Sequence, residues 1–170
     1  MALRLKSGLF LFALVTGVLI LAAGCSKEAG NTGAQGAGSP APTPGHFATS
    51  DLAKLRWIEG SWRGTGVGQA PFYERYHFEN DSTLVVESFD NDKFDKVSDV
   101  SRFELKDGRF GEGNRSAATE IDNDFVIFYS LKKGGNAFRW KREAKDLWQA
   151  TVDWPVGNRV YRMERWTPGK

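Results

Sequence analysis

The sequence predicts an all-β domain over residues 47–170, an antiparallel up-and-down barrel of nine or ten strands preceded by one short helix. Three observations predict it. After Gly60 the chain breaks into short runs of alternating apolar and polar residues, the period of strands with one buried face. The runs are joined by Asn80-Asp81-Ser82, Asn91-Asp92, Lys106-Asp107-Gly108, Asn123-Asp124, Gly134-Gly135-Asn136 and Gly157-Asn158, connections of the length that joins antiparallel neighbours. The domain also holds 20 aromatic residues, all six tryptophans among them, which supply burial that cross-links would otherwise replace. Closure follows from such a set of strands, because a closed sheet leaves no edge exposed.

The helix is predicted just before the strands. Thr49 or Ser50 caps it, Asp51 favours its first turn, Leu52, Leu55 and Ile58 share one face, and Gly60 ends it. The strands are expected at 61–68, 72–79, 83–89, 97–105, 109–113, 117–121, 125–131, 137–143, 147–154 and 159–166. In 72–78, Phe72, Glu74, Tyr76 and Phe78 share one face and Tyr73, Arg75 and His77 the other. Both faces carry aromatics, so either can look inward. Gly64, Gly66 and Gly68 fall in the first strand, where they would allow it to bend.

Residues 1–24 read as a signal segment: Arg4 and Lys6, an apolar stretch over 9–23, then small residues. The run Leu21-Ala22-Ala23-Gly24-Cys25 resembles the lipobox of bacterial lipoproteins, with Ala22 where that family prefers leucine. The resemblance implies cleavage before Cys25, acylation of its thiol and anchorage in a membrane of the cell envelope. Ser26 at the second mature position points to the periplasmic face of the outer membrane. An uncleaved membrane-spanning helix is the alternative, since residues 7–24 are 18 uncharged positions, near the lower limit for a span. Residues 25–46 are expected to be a linker, because 14 of the 20 residues from 26 to 45 are Gly, Ala, Pro or Ser.

Arg4 and Lys6 account for the whole net charge of +2, leaving 21 basic against 21 acidic residues in 25–170. That balance argues against broad electrostatic attraction to nucleic acid or lipid head groups. Cys25 is the only cysteine, so the domain is expected to stand without disulfides, and two histidines without thiol partners predict no zinc site. No nucleophile elbow, phosphate-binding glycine loop or H-E-x-x-H motif is present.

Gly60-Ser61-Trp62-Arg63-Gly64-Thr65-Gly66 resembles the G-x-W-x-G-x-G opening of nitrobindin-like barrels and, more broadly, the G-x-W of lipocalins and other calycins. The resemblance implies that Trp62 plugs one end of a barrel beneath a basic residue of the last strand, with Arg159, Arg162 and Arg165 as the candidates. Nitrobindin-like proteins hold haem through a histidine near the carboxyl end. No histidine follows His77 here, and Tyr161 and Met163 stand near that place, so no haem or other cofactor is expected. Arg159-Val160-Tyr161 resembles the R-x-Y of fatty-acid-binding proteins, which implies two inward side chains gripping a ligand carboxylate.

Candidate ligand contacts are therefore Arg159 and Tyr161, with Trp140 and Trp154 as apolar walls and Arg75 and His77 as further polar groups. A lipid-anchored barrel that binds or carries a small apolar or amphipathic ligand is the first functional class. A filled barrel acting as a structural or interaction protein is the second. An enzyme with residues drawn from distant strands is the third.

Overall fold

The computed structural model describes residues 43–154 and 157–169, so the signal segment, Cys25 and most of the linker lie outside the described residues. Ten strands follow in chain order: β1 (Gly60–Gly66), β2 (Phe72–Asn80), β3 (Thr83–Phe89), β4 (Val97–Lys106), β5 (Arg109–Gly111), β6 (Ser116–Ile121), β7 (Phe125–Ser130), β8 (Phe138–Ala144), β9 (Leu147–Val152) and β10 (Arg159–Arg165). Each pairs antiparallel with the next except β5 with β6, and β1 pairs with β10, giving a nearly closed up-and-down barrel.

Local chemistry sets the turns. Asp107 and Gly108 both take positive φ (52° and 75°), the two left-handed residues of a tight hairpin turn between β4 and β5. Asn80 Oδ1 accepts from the Ser82 backbone N–H at 2.8 Å, closing the β2–β3 turn with a side chain. Gly68 lies beyond β1 with φ 72°, so it belongs to the β1–β2 turn and not to the strand.

The helical segment is two pieces. Residues Thr49–Ala53 form α1, and Arg56–Ile58 form one turn of 3-10 helix. The N-cap is Ala48 and not Thr49 or Ser50, because the Asp51 carboxylate reaches back to the Ala48 backbone N–H at 3.0 Å. Leu52, Leu55 and Ile58 are buried as one apolar face against the barrel end.

Strand register fixes which face is inside. Trp62 of β1 stands opposite Glu74 of β2 and Arg165 of β10, and Gly64 opposite Phe72 and Met163. Glu74 and Tyr76 therefore point inward, and Tyr73, Arg75 and His77 outward. The outward aromatics are covered from outside. The β3–β4 loop folds back so that Phe94 packs on Phe89 (4.5 Å) and Tyr73 (6.0 Å), with the Arg75 guanidinium over both phenyl rings. Trp166, beyond β10, joins this patch against Tyr73 and donates from Nε1 to the Asp92 carbonyl at 3.0 Å. Phe94 holds φ 58°, a costly conformation for a bulky residue, and burial of its ring offsets that cost.

The interior is filled. Trp62, Trp140, Trp148, Tyr76, Phe103, Phe110 and Phe128 are each less than 2% exposed. They meet mostly edge to face, as Tyr76–Trp148 (5.4 Å), Trp140–Trp148 (6.0 Å) and Trp62–Trp148 (6.0 Å) do, the arrangement their ring quadrupoles favour.

The helix-capped end is sealed by one cation. The Arg165 guanidinium lies 3.9 Å from the Trp62 ring centroid and donates to the Glu59 carbonyl at 2.5 Å, while Trp62 Nε1 donates to the Ile58 carbonyl at 2.7 Å. Gly60 makes the seat: its φ is 128°, and a Cβ there would fall 1.8 Å from Arg165 Nη1. Arg162 instead faces outward and pairs with Glu164 at 2.9 Å.

Trp62→Ala should cost about 3–5 kcal/mol, as loss of a fully buried aromatic does. Gly60→Ala should also destabilise by more than about 1 kcal/mol, since it strains φ and unseats Arg165. Urea unfolding followed by circular dichroism checks both. A loss below about 1 kcal/mol for Trp62→Ala would mean the ring does not hold the barrel end together.

Candidate functional site

The barrel has two unlike ends. Where β1 begins and β10 finishes, the helical segment and Arg165 close it. At the other end stand the β1–β2, β3–β4, β5–β6, β7–β8 and β9–β10 connections, and here the inward side chains include polar ones. Glu74 and Ser88 are register partners on β2 and β3, and Ser88 is opposite Asp99 on β4. Ser101 donates to Glu112 Oε1 at 2.9 Å, and Arg115 holds the same oxygen at 2.9 Å.

Arg159 and Tyr161 share the inward-facing side of β10, as the R-x-Y spacing predicts, but they differ in depth. Tyr161 is 5% exposed and meets Phe72 edge to face at 5.8 Å. Its ring lies over Gly66, where a Cβ would come within 2.8 Å of it. Arg159 is exposed at the rim, its guanidinium 4.5 Å from the Trp154 ring centroid. Trp154 is half-buried in the β9–β10 connection, whereas Trp140 stands in the middle of the aromatic core. Arg75 and His77 lie on the outer face; Arg75 stacks on Phe89 and Phe94 and pairs with Glu87 at 3.6 Å. Arg159, Tyr161 and Trp154 thus gather at the open end, and Arg75 and His77 stand apart from them.

Glu74 is a buried acid that no sequence motif singles out. It is 5% exposed inside the barrel and accepts from the Tyr76 hydroxyl at 2.6 Å. Burial pushes its carboxyl up from 4.5 to about 7, against the smaller downward pull of the Tyr76 and Ser88 hydroxyls. The same burial, with Glu74 beside it, holds the Tyr76 hydroxyl well above its ordinary range, so it remains a donor. The signal was legible in principle: Phe72, Tyr76 and Phe78 flank Glu74 at even spacing, so an inward apolar face must carry the acid with it.

Arg142 and Asp124 approach at 3.9 Å beside a surface hollow of about 290 Å³ at the helix-capped end, lined also by Glu143, Ala144 and Lys145. A smaller hollow of about 50 Å³ lies on the outer face of β4 and β5 between Glu104, Lys106 and Arg109. Among the described residues no group of three or more His, Cys, Asp or Glu side chains is placed to hold a metal ion. No helix among them is long and apolar enough to cross a membrane.

No protein-family model matches this chain, and no curated protein matches it. Among solved structures it is similar to a redesigned beta barrel at 12% identity and a TM-score of 0.34, over 65% of this chain and 93% of that one. A second redesigned beta barrel, bound to DFHBI, is similar at 10% identity and a TM-score of 0.34, over 66% of this chain and 97% of that one.

Glu74 makes stability depend on pH in an unusual direction. The folded barrel holds this proton more tightly than the unfolded chain, so Glu74 contributes least harm below pH 4.5 and progressively destabilises as pH rises to about 7. Glu74→Gln keeps an acceptor for Tyr76 and cannot ionise. It should stabilise the protein at pH 8 by about 3 kcal/mol relative to its effect at pH 4. Urea unfolding at both pH values checks this, and a pH-independent difference would mean that Glu74 ionises freely in the fold.

Proposed function

We propose that this chain is a lipid-anchored protein of the bacterial cell envelope whose barrel is a filled interaction module, anchored through Cys25. The observation that carries the barrel half is its interior: seven large aromatic side chains, each under 2% exposed, occupy the space a carried ligand would need. Ligand sites are mostly preformed hollows of about 300–1,000 Å³. The hollows of about 50 and 290 Å³ described above lie on the outer surface instead. A barrel whose interior is filled offers its outer faces to partners. The anchoring half rests on the lipobox-like run ending at Cys25 and on the linker composition of residues 25–46.

A second reading is favoured by the shared inward side of Arg159 and Tyr161 at the open end. A guanidinium and a phenol there could grip the carboxylate of an amphipathic ligand whose tail lies across Trp154 and Phe72. That ligand would sit at the rim and not in the barrel.

Two measurements separate these readings. Residues 43–170 titrated with a fluorescent fatty acid should show no saturable binding if the barrel is a filled interaction module. Saturable binding that weakens about ten- to a hundredfold in Arg159→Gln, at unchanged thermal stability, would establish the rim site instead. For the anchor, Cys25→Ser should abolish palmitate incorporation and leave the precursor uncleaved. Normal processing and acylation of that variant would overturn the lipoprotein reading.

A further inference from the structure

Nine sides of the barrel are closed by antiparallel ladders, and the β5–β6 side is not. β5 has three residues and β6 has six, so most of β6 has no strand to pair with along that side. Near the open end the two strands touch: the Glu112 backbone N–H donates to the Ser116 carbonyl at 3.1 Å. Gly111 lies so close there that a Cβ would fall 2.1 Å from that same oxygen.

Toward the helix-capped end a different part of the chain bridges the gap. The Gly45 backbone N–H donates to the Ala118 carbonyl of β6 at 2.9 Å, and two residues later the Phe47 N–H donates to the Gly108 carbonyl, in the β4–β5 turn, at 2.7 Å. Residues 45–47 therefore cross the seam from one side to the other. Two glycines make this possible. A Cβ on Gly45 would fall 2.2 Å from the Phe47 ring and 2.9 Å from the Thr119 carbonyl. A Cβ on Gly108 would fall 2.2 Å from the His46 ring. Behind the crossing, Phe103, Phe110 and Phe128 meet from both sides of the seam at ring-centroid distances of 5.3–6.2 Å, and all three are buried.

We infer that residues Gly45–Phe47 are a releasable clasp, and that the β5–β6 seam they cross is where the barrel opens. Every other side must break a ladder to part. This one must break two clasp bonds, the Glu112–Ser116 bond and the contacts of three phenyl rings. His46 is exposed and Gly45 and Phe47 are half-buried, so the clasp is reachable from solvent. Local opening takes place where the fewest backbone bonds and buried contacts must be given up. The clasp is also the first part of the barrel domain reached from residues 25–42, so whatever binds or strains that segment acts first on the closure of the barrel. The inference does not depend on the lipid anchor.

Hydrogen exchange of the full-length chain in mild detergent tests it, comparing wild type with Gly45→Ala and with a deletion of residues 43–47. Exchange over residues 109–121 should rise about tenfold or more in both variants, while β1, β2, β9 and β10 change by less than about twofold. Gly45→Ala keeps the test decisive if the deletion variant does not fold. Unchanged exchange at the seam would overturn the inference. So would an equal rise across all ten strands, because residues 45–47 would then support the whole barrel and not one side of it.

Discussion

Everything in this barrel depends on how Arg165 meets Trp62. A guanidinium that covers an indole and bonds a backbone carbonyl joins the last strand to the first and the helical segment to both. Trp62 in turn touches Trp148, which touches Trp140 and Tyr76, so the cation stands at the head of a continuous aromatic stack. Gly60 is part of the same device. Its missing side chain is the space the guanidinium occupies, which explains why a glycine must stand two residues before the tryptophan.

The interior reflects a balance between aromatic burial and one awkward acid. Glu74 is inside because β2 alternates, and the strand cannot turn Phe72 and Tyr76 inward without it. Its partners are hydroxyls and not a cation, so burial lifts its carboxyl to about 7 and the acid gives up its proton less readily than a solvated one. The outer patch of Tyr73, Phe89, Phe94 and Trp166 shows the complementary solution. There the aromatic surplus of β2 and β3 is covered by a loop and by Trp166, at the cost of a positive φ at Phe94.

The strands were legible because their period and their turn residues agree. Lys106-Asp107-Gly108 is the clearest case: the sequence asks for a tight turn, and Asp107 and Gly108 supply both positive φ angles. The facing of β2 was not legible, since aromatic residues occupy both of its sides and only the register with Trp62 separates them. The choice among Arg159, Arg162 and Arg165 needed the same information. Alternation separates Arg162 from Arg159 and Arg165, and only the register with Trp62 selects Arg165 over Arg159. The crossing of residues 45–47 left no periodic trace, because it is made by backbone groups of a Gly/Pro-rich segment. At the open end, R-x-Y spacing correctly puts Arg159 and Tyr161 on one side, while their different depths come from where β10 starts.

The pairing of β1 with β10 also orders events in time. The residue that covers Trp62, Arg165, lies 103 positions later in the chain. A growing chain can form the β2–β3 and β3–β4 hairpins early, but it holds Trp62 uncovered and one edge of β1 unpaired until β10 is available. Non-local closure of this kind is slow relative to hairpin formation. The whole domain therefore becomes native late and nearly at once, and a chain truncated before residue 159 keeps an open edge and a bare indole, the surfaces that promote aggregation.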